Sequence, residues 1–143
     1  MNAAILPGRY RLHADGAARG NPGPAAYGFV LDAPDGSSLS EGAGALGTAT
    51  NNVAEYRGLV AGLERALALG VREVEVCLDS ELVVRQLTGA YRVKNAGLKP
   101  LFERARLLLA RFERWSIRHV PRADNSRADE LANRALEGWP AAG

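Results

Sequence analysis

The spacing of apolar positions is strand-like through the first third of this chain and then alternates between helical and strand periods. Residues Arg9 to Asp15 read as a strand, and GNPGP at 20–24 is a turn before the apolar run AAYGFVLDA. Pro34-Asp35-Gly36 is a hairpin signal, followed by a glycine-rich third strand through Gly47. Val53, Tyr56, Leu59, Leu63 and Ala66 then recur at three- and four-residue spacing, which predicts a helix. Asn52 is its expected N-cap, Glu55 stands at its third position and Gly70 closes it. VREVEVCLD (71–79) reads as a fourth strand, and Ser80 caps a short helix through Leu87. TGAYRVKNAG is loop-like, 98–112 is an amphipathic helix, 114–120 a fifth strand and 125–138 a final helix. The order βββαβααβα predicts an α/β fold: a five-stranded mixed sheet with helices packed on its faces.

A chain of 143 residues has room for one core, so residues 1–143 are expected to form one domain with its core at about 9–138. Trp139 to Gly143 are expected to be frayed. Hydrophobic residues at 47% and charged residues at 24% exclude disorder and a membrane span. The opening MNAAILPGRYRL lacks a basic start and a long apolar stretch, so no signal peptide is expected and a cytoplasmic location follows. Cys77 stands alone within VEVCL and reads as a small buried hydrophobe. The net charge of +2 does not announce a nucleic-acid binder. Arginine supplies 16 of the 18 basic residues, which suits bidentate phosphate contacts and equally fits a GC-rich genome.

Four acids carry the candidate chemistry: Asp15 in HADGAARGNPGP, Glu55 in TNNVAEYRGL, Asp79 in VCLDSELVV and Asp129 in NSRADELAN. Each sits at an element boundary or on a first helical turn, where separate segments can converge. Brought together, four carboxylates repel unless hard divalent cations neutralise them, and oxygen-only ligation points to Mg²⁺ or Mn²⁺. Two such ions are the usual device for attacking a phosphodiester. Taken singly, Glu55 and Asp129 are also first-turn acids favoured by the helix dipole, and Asp15 also fits a DG turn. The set of four is what points to a metal-dependent nuclease.

The segments DGAARGNPGPAAYG, TNNVAEYRGL, DSELVV and NSRADELAN, in this order and on these elements, resemble type 1 ribonuclease H from about Tyr10 to Leu136. The resemblance implies the RNase H-like fold and hydrolysis of the RNA strand of RNA–DNA hybrids with two divalent ions, leaving 3′-hydroxyl and 5′-phosphate ends. It implies metal-binding, catalytic roles for Asp15, Glu55, Asp79 and Asp129, with Asp15 and Asp79 bridging both ions. Gly16, Asn21, Thr50, Asn51 and Asn52 match positions that contact the hybrid, although Asn21 also belongs to a turn and Asn52 to a helix cap. An RNA–DNA hybrid is the expected partner, with no membrane, no obligate protein partner and a monomeric state.

The chain departs from the family pattern in three places. Many members carry a catalytic histidine within HVPGH, whereas this sequence reads HVPRADNSRAD. The Val-Pro match makes His119 a strand residue and places Arg122 near the catalytic histidine's position, where a guanidinium attracts phosphate. An ungapped count back from Asp129 lands on His119 instead. The basic protrusion of some bacterial members is missing, leaving Arg92 and Lys94 between Gln86 and Leu98. Glu81 replaces a common glutamine, and His13 reads as a packed residue on the face of Asp15. The rivals are a resolvase- or exonuclease-type RNase H-like nuclease and a non-catalytic nucleic-acid-binding module.

Overall fold

A computed structural model describes residues 5–138. The elements run β1 (Arg9–Ala18), β2 (Gly23–Asp32), β3 (Ser38–Ala49), α1 (Asn51–Ala68), β4 (Glu73–Leu78), α2 (Glu81–Leu87), α3 (Lys99–Leu109), β5 (Arg114–His119), a 3₁₀ turn (Arg122–Asn125) and α4 (Ser126–Glu137). The expected order is borne out with one addition, since the last helix is preceded by that 3₁₀ turn. The sheet order is β3-β2-β1-β4-β5. β1 pairs antiparallel with β2, β2 antiparallel with β3, and β4 lies parallel to both β1 and β5. The frayed end expected at Trp139 to Gly143 lies outside the described residues. No described helix is long and apolar enough to cross a membrane.

The two faces of β1 explain the layering. Gly16 faces α1, where a Cβ would stand 2.4 Å from the backbone of Ala54 and Glu55. Its neighbour Asp15 pairs with Gly28, whose Cβ would stand 2.5 Å from the Ala128 carbonyl oxygen of α4. Successive strand residues point to opposite faces, so α1 and α4 grip β1 and β2 from the two sides. Side-chain-free positions let both helices come this close. The main core forms on the α1 side, where Leu12, Tyr56, Leu59, Leu63, Val76, Val83 and Leu108 are buried together.

Several boundaries move for physical reasons. β1 continues three residues beyond Asp15 because the hairpin with β2 pairs down to Ala18–Ala25. The N-cap of α1 is Thr50 rather than Asn52, its hydroxyl accepting from Val53 N–H at 3.2 Å. Glu55 is therefore the fifth helical residue, one turn in, and points inward rather than decorating the first turn. Gly70, with φ of +87°, follows Leu69 as the left-handed stop. Ser80 caps α2 as the sequence predicts, accepting from Val83 N–H at 3.3 Å.

The β4–β5 flank is laced by charge. Glu75 of β4 accepts from Arg11 of β1 at 2.8 Å and from Arg118 of β5 at 3.2 Å, and Arg9 reaches Glu73 at 3.2 Å.

Candidate active site

β4 pairs with β1 only as far as Ala14–Leu78. From Asp15 onward the β4 side of β1 is an open notch, and a cavity of about 800 Å³ begins there. Asp15 enters it from β1 and Asp79 from the residue after β4. Glu55 enters from α1, and ligand oxygens of these three acids lie within 4.8 Å of one another. Asp129 of α4 lines the same cavity outside that tight group.

The inner acids are unusually placed for charged groups. Asp15 is 4% exposed and Glu55 6%. Glu55 Oε1 accepts from Gly16 N–H at 3.3 Å, while Oε2 is buried with no hydrogen-bond partner among the described residues. Burial pushes the Glu55 carboxyl well above the usual carboxylate range, and the nearby Asp15 charge adds to the shift. Asp15 is raised chiefly by burial, with Asp79 adding to the shift by its charge. Without a cation this pair holds protons more tightly than free acids do, because burial removes the water that would solvate the charge and the one Gly16 N–H on Glu55 Oε1 replaces only part of it. An all-oxygen set with a buried, unpartnered carboxylate oxygen fits a hard divalent cation.

The other expected residues divide by location. Gly16, Asn21, Asn51, Asn52 and Arg122 line the cavity, whereas Thr50 does not and serves as the helix cap. Asn21 Oδ1 accepts from Asn51 N–H at 2.9 Å, so it clamps the β1–β2 turn to the start of α1 and leaves its amide hydrogens free for other partners. His119 ends β5, its Nε2 3.2 Å from the Asp79 carbonyl oxygen, and does not line the cavity. His13 lies apart from the acids, against Asn125 and Arg127 in a separate 70 Å³ space, and its burial lowers its pKa. Glu81 is engaged by Arg85 at 2.8 Å.

Two residues that sequence reasoning missed touch the acids. Asn133 donates to the Asp129 carboxylate at 3.2 Å, a partner that the i,i+4 spacing within RADELAN makes readable. Asn125 donates to Asp79 Oδ2 at 3.3 Å from the 3₁₀ turn before α4, and no local pattern marks it.

A five-stranded mixed sheet of this order, with acids gathered where β4 stops short, defines an RNase H-like α/β protein. A family model described as Reverse transcriptase-like matches residues 13–135. A ribonuclease HI of Halobacterium salinarum is 52% identical over 140 residues, spanning 96% of this chain and 70% of that protein. The solved N-terminal RNase H domain of a Mycobacterium tuberculosis protein superposes with a TM-score of 0.89 at 48% identity, covering 91% of this chain and 94% of that one. This chain spans 35% of the whole mycobacterial protein, which is described as bifunctional. LC11-RNase H1, isolated from compost and solved with an RNA/DNA hybrid, gives a TM-score of 0.85 at 42% identity over 90% of this chain and 96% of that one. The chain belongs to the type 1 ribonuclease H family, and it is a hydrolase of that family.

Proposed function

We propose that the protein cleaves the RNA strand of RNA–DNA hybrids in the acidic cavity, with Asp15, Glu55, Asp79 and Asp129 holding two divalent cations, Mg²⁺ or Mn²⁺. The observation that carries this reading is the convergence of Asp15, Glu55 and Asp79 within 4.8 Å around a buried carboxylate oxygen without a partner. The chemistry such ions supply when bound is a lowered pKa for the attacking water and neutralisation of charge on the leaving oxygen. Asp15, in β1, and Asp79, just past the neighbouring parallel strand β4, would hold both cations, and Asp129 would complete the set while Asn133 steadies it.

The walls would select the substrate. Asn21, Asn51 and Asn52 offer amide groups beside the acids, and with Glu55 and Gly16 they line the region where a ribose 2′-hydroxyl is read. Thr50 contributes by fixing the start of α1, and Arg122 draws a phosphate to the outer rim. The hybrid-bound LC11 relative supports this choice of substrate. The same reading has the enzyme working as a cytoplasmic monomer that needs no protein partner.

A gel assay on end-labelled hybrid, duplex DNA and duplex RNA with Mg²⁺ or Mn²⁺ tests the proposal. The expected result is cleavage of the RNA strand of the hybrid with 3′-hydroxyl and 5′-phosphate ends, and an intact DNA duplex. Comparable cutting of DNA moves the protein to the resolvase or exonuclease branch, and binding without cutting makes it a non-catalytic module.

A further inference from the structure

Asn125 is 1% exposed, yet it belongs to the 3₁₀ turn that leads into α4 and caps nothing with its side chain. Its two amide hydrogens go elsewhere. Nδ2 donates to the Ala14 carbonyl oxygen at 2.9 Å and to Asp79 Oδ2 at 3.3 Å. The orientation is forced, because the flipped amide would set Oδ1 against a carbonyl and a carboxylate at hydrogen-bond distance. Oδ1 finds no partner among the described residues. The side chain is thus engaged through its donors with β1 and Asp79, and not with its own turn.

Both acceptors are strategic. Ala14 immediately precedes Asp15, and Asp79 follows the last residue of β4. One amide thus ties the backbone beneath the first acid to the carboxylate of the second. The same connection reaches the end of β4 twice more, through Val120 N–H to the Leu78 carbonyl oxygen at 2.9 Å and through the contact of His119 Nε2 with the Asp79 carbonyl oxygen. Asp79 is only half-buried and follows the end of its strand, so sheet pairing does not fix its carboxylate.

We propose that Asn125 is a positioning residue: its amide holds Asp79 at a set distance from Asp15, so that the two carboxylates present a preformed cation site. This rests on the reading of Asp79 as a cation ligand. Outer partners of ligating carboxylates change metal affinity or activity by about 10- to 100-fold when removed. Asn125→Leu keeps the branching and heavy-atom count of the side chain and removes both donors, and Asn125→Ala gives a second, smaller replacement. In the full chain, Mn²⁺ titration calorimetry should show affinity reduced by about 10- to 100-fold for both. The kcat should fall comparably and recover toward wild type at high Mn²⁺, with KM for a hybrid within about twofold. A role confined to folding would lower the melting temperature without moving Mn²⁺ affinity in the folded protein.

A second measurement leaves Asn125 in place. In the wild-type protein the Asn125 side-chain amide should give two separated, slowly exchanging proton resonances that shift on adding Mg²⁺ and lose protection in Asp79→Asn. Resonances indifferent to both overturn the proposal, as does unchanged Mn²⁺ affinity in a folded Asn125 variant. If Asp79→Asn loses Mn²⁺ binding while Asn125→Leu keeps it, the positioning role alone is wrong. If wild type binds Mn²⁺ no better than Asp79→Asn, the cation reading of the cavity fails and takes the inference with it.

Discussion

The inner and outer walls of the cavity hold acids by opposite means. At the inner wall, Asp15 and Glu55 are buried between closely approaching backbones, and Glu55 Oε2 has no hydrogen-bond partner among the described residues. At the outer wall Asp129 is half-buried on α4 and its own helix satisfies it through Asn133. The inner pair therefore carries an electrostatic cost that a bound cation would relieve, while Asp129, whose charge adds to the load on Asp15, has a donor of its own in Asn133. The same burial that suits the inner acids to a cation raises their affinity for protons.

Neutralising one acid at each wall is the most direct way to break this contrast. Several kcal/mol of charge stabilisation correspond to more than about 100-fold in rate, so Glu55→Gln should abolish most hybrid cleavage, whereas Asp129→Asn should lose less. Without metal, Glu55→Gln should melt at a higher temperature than wild type near neutral pH. The sign follows from the raised inner carboxyls: the folded state binds protons that the unfolded chain has released. Stability is then full below the ordinary carboxylate range of about 4 and is lost as pH rises through the folded values. Melting in chelator across this range should show a flatter slope for Glu55→Gln and convergence with wild type in acid; parallel curves would refute the stored cost.

The next contrast is steric. A Cβ at Gly16 meets the Ala54 and Glu55 backbone at 2.4 Å, and backbone cannot rotate away. Gly16→Ala should cost about 3 kcal/mol, roughly 10 °C in melting temperature, and displace Glu55 with it. Asn133→Ala at the outer wall should cost under about 1 kcal/mol. Similar losses from the two variants in a thermal melt would mean that the inner wall is not tightly packed.

The smallest effects sharpen the outer rim. Arg122→Ala should slow turnover or weaken hybrid binding by about 3- to 10-fold through a lost phosphate contact. His119→Ala should cost about 1 kcal/mol of stability and change the rate little, since it touches only the Asp79 backbone. Rates of both on one hybrid decide it, and a large loss for His119→Ala with Arg122→Ala unaffected would reverse the assignment.

The element order was legible because strand and helix periods differ and the turns carry Gly, Pro and Asp at their expected places. The four acids were legible because they stand in distinctive segments. What local pattern could not supply was depth. Glu55 read as a first-turn acid, but capping by Thr50 shifts it two residues deeper, past the first turn. Asp15 read as a strand end, but β1 continues and it is β4 that stops. Asn125 was invisible for a stronger reason: its partners, Ala14 and Asp79, are remote in sequence and only the folded sheet brings them under one amide.

β5 ends the sheet, and its outer backbone edge pairs with no strand among the described residues. Such an edge is an invitation to another chain, and proteins blunt it with short length and charge. This one is six residues long, carries exposed arginines at 114 and 118, and has Arg118 drawn inward onto Glu75. A strand added there would have to accept those guanidinium groups along its own flank. The rungs of charge that link β1, β4 and β5 therefore also act as a guard against edge-to-edge aggregation at this end of the sheet.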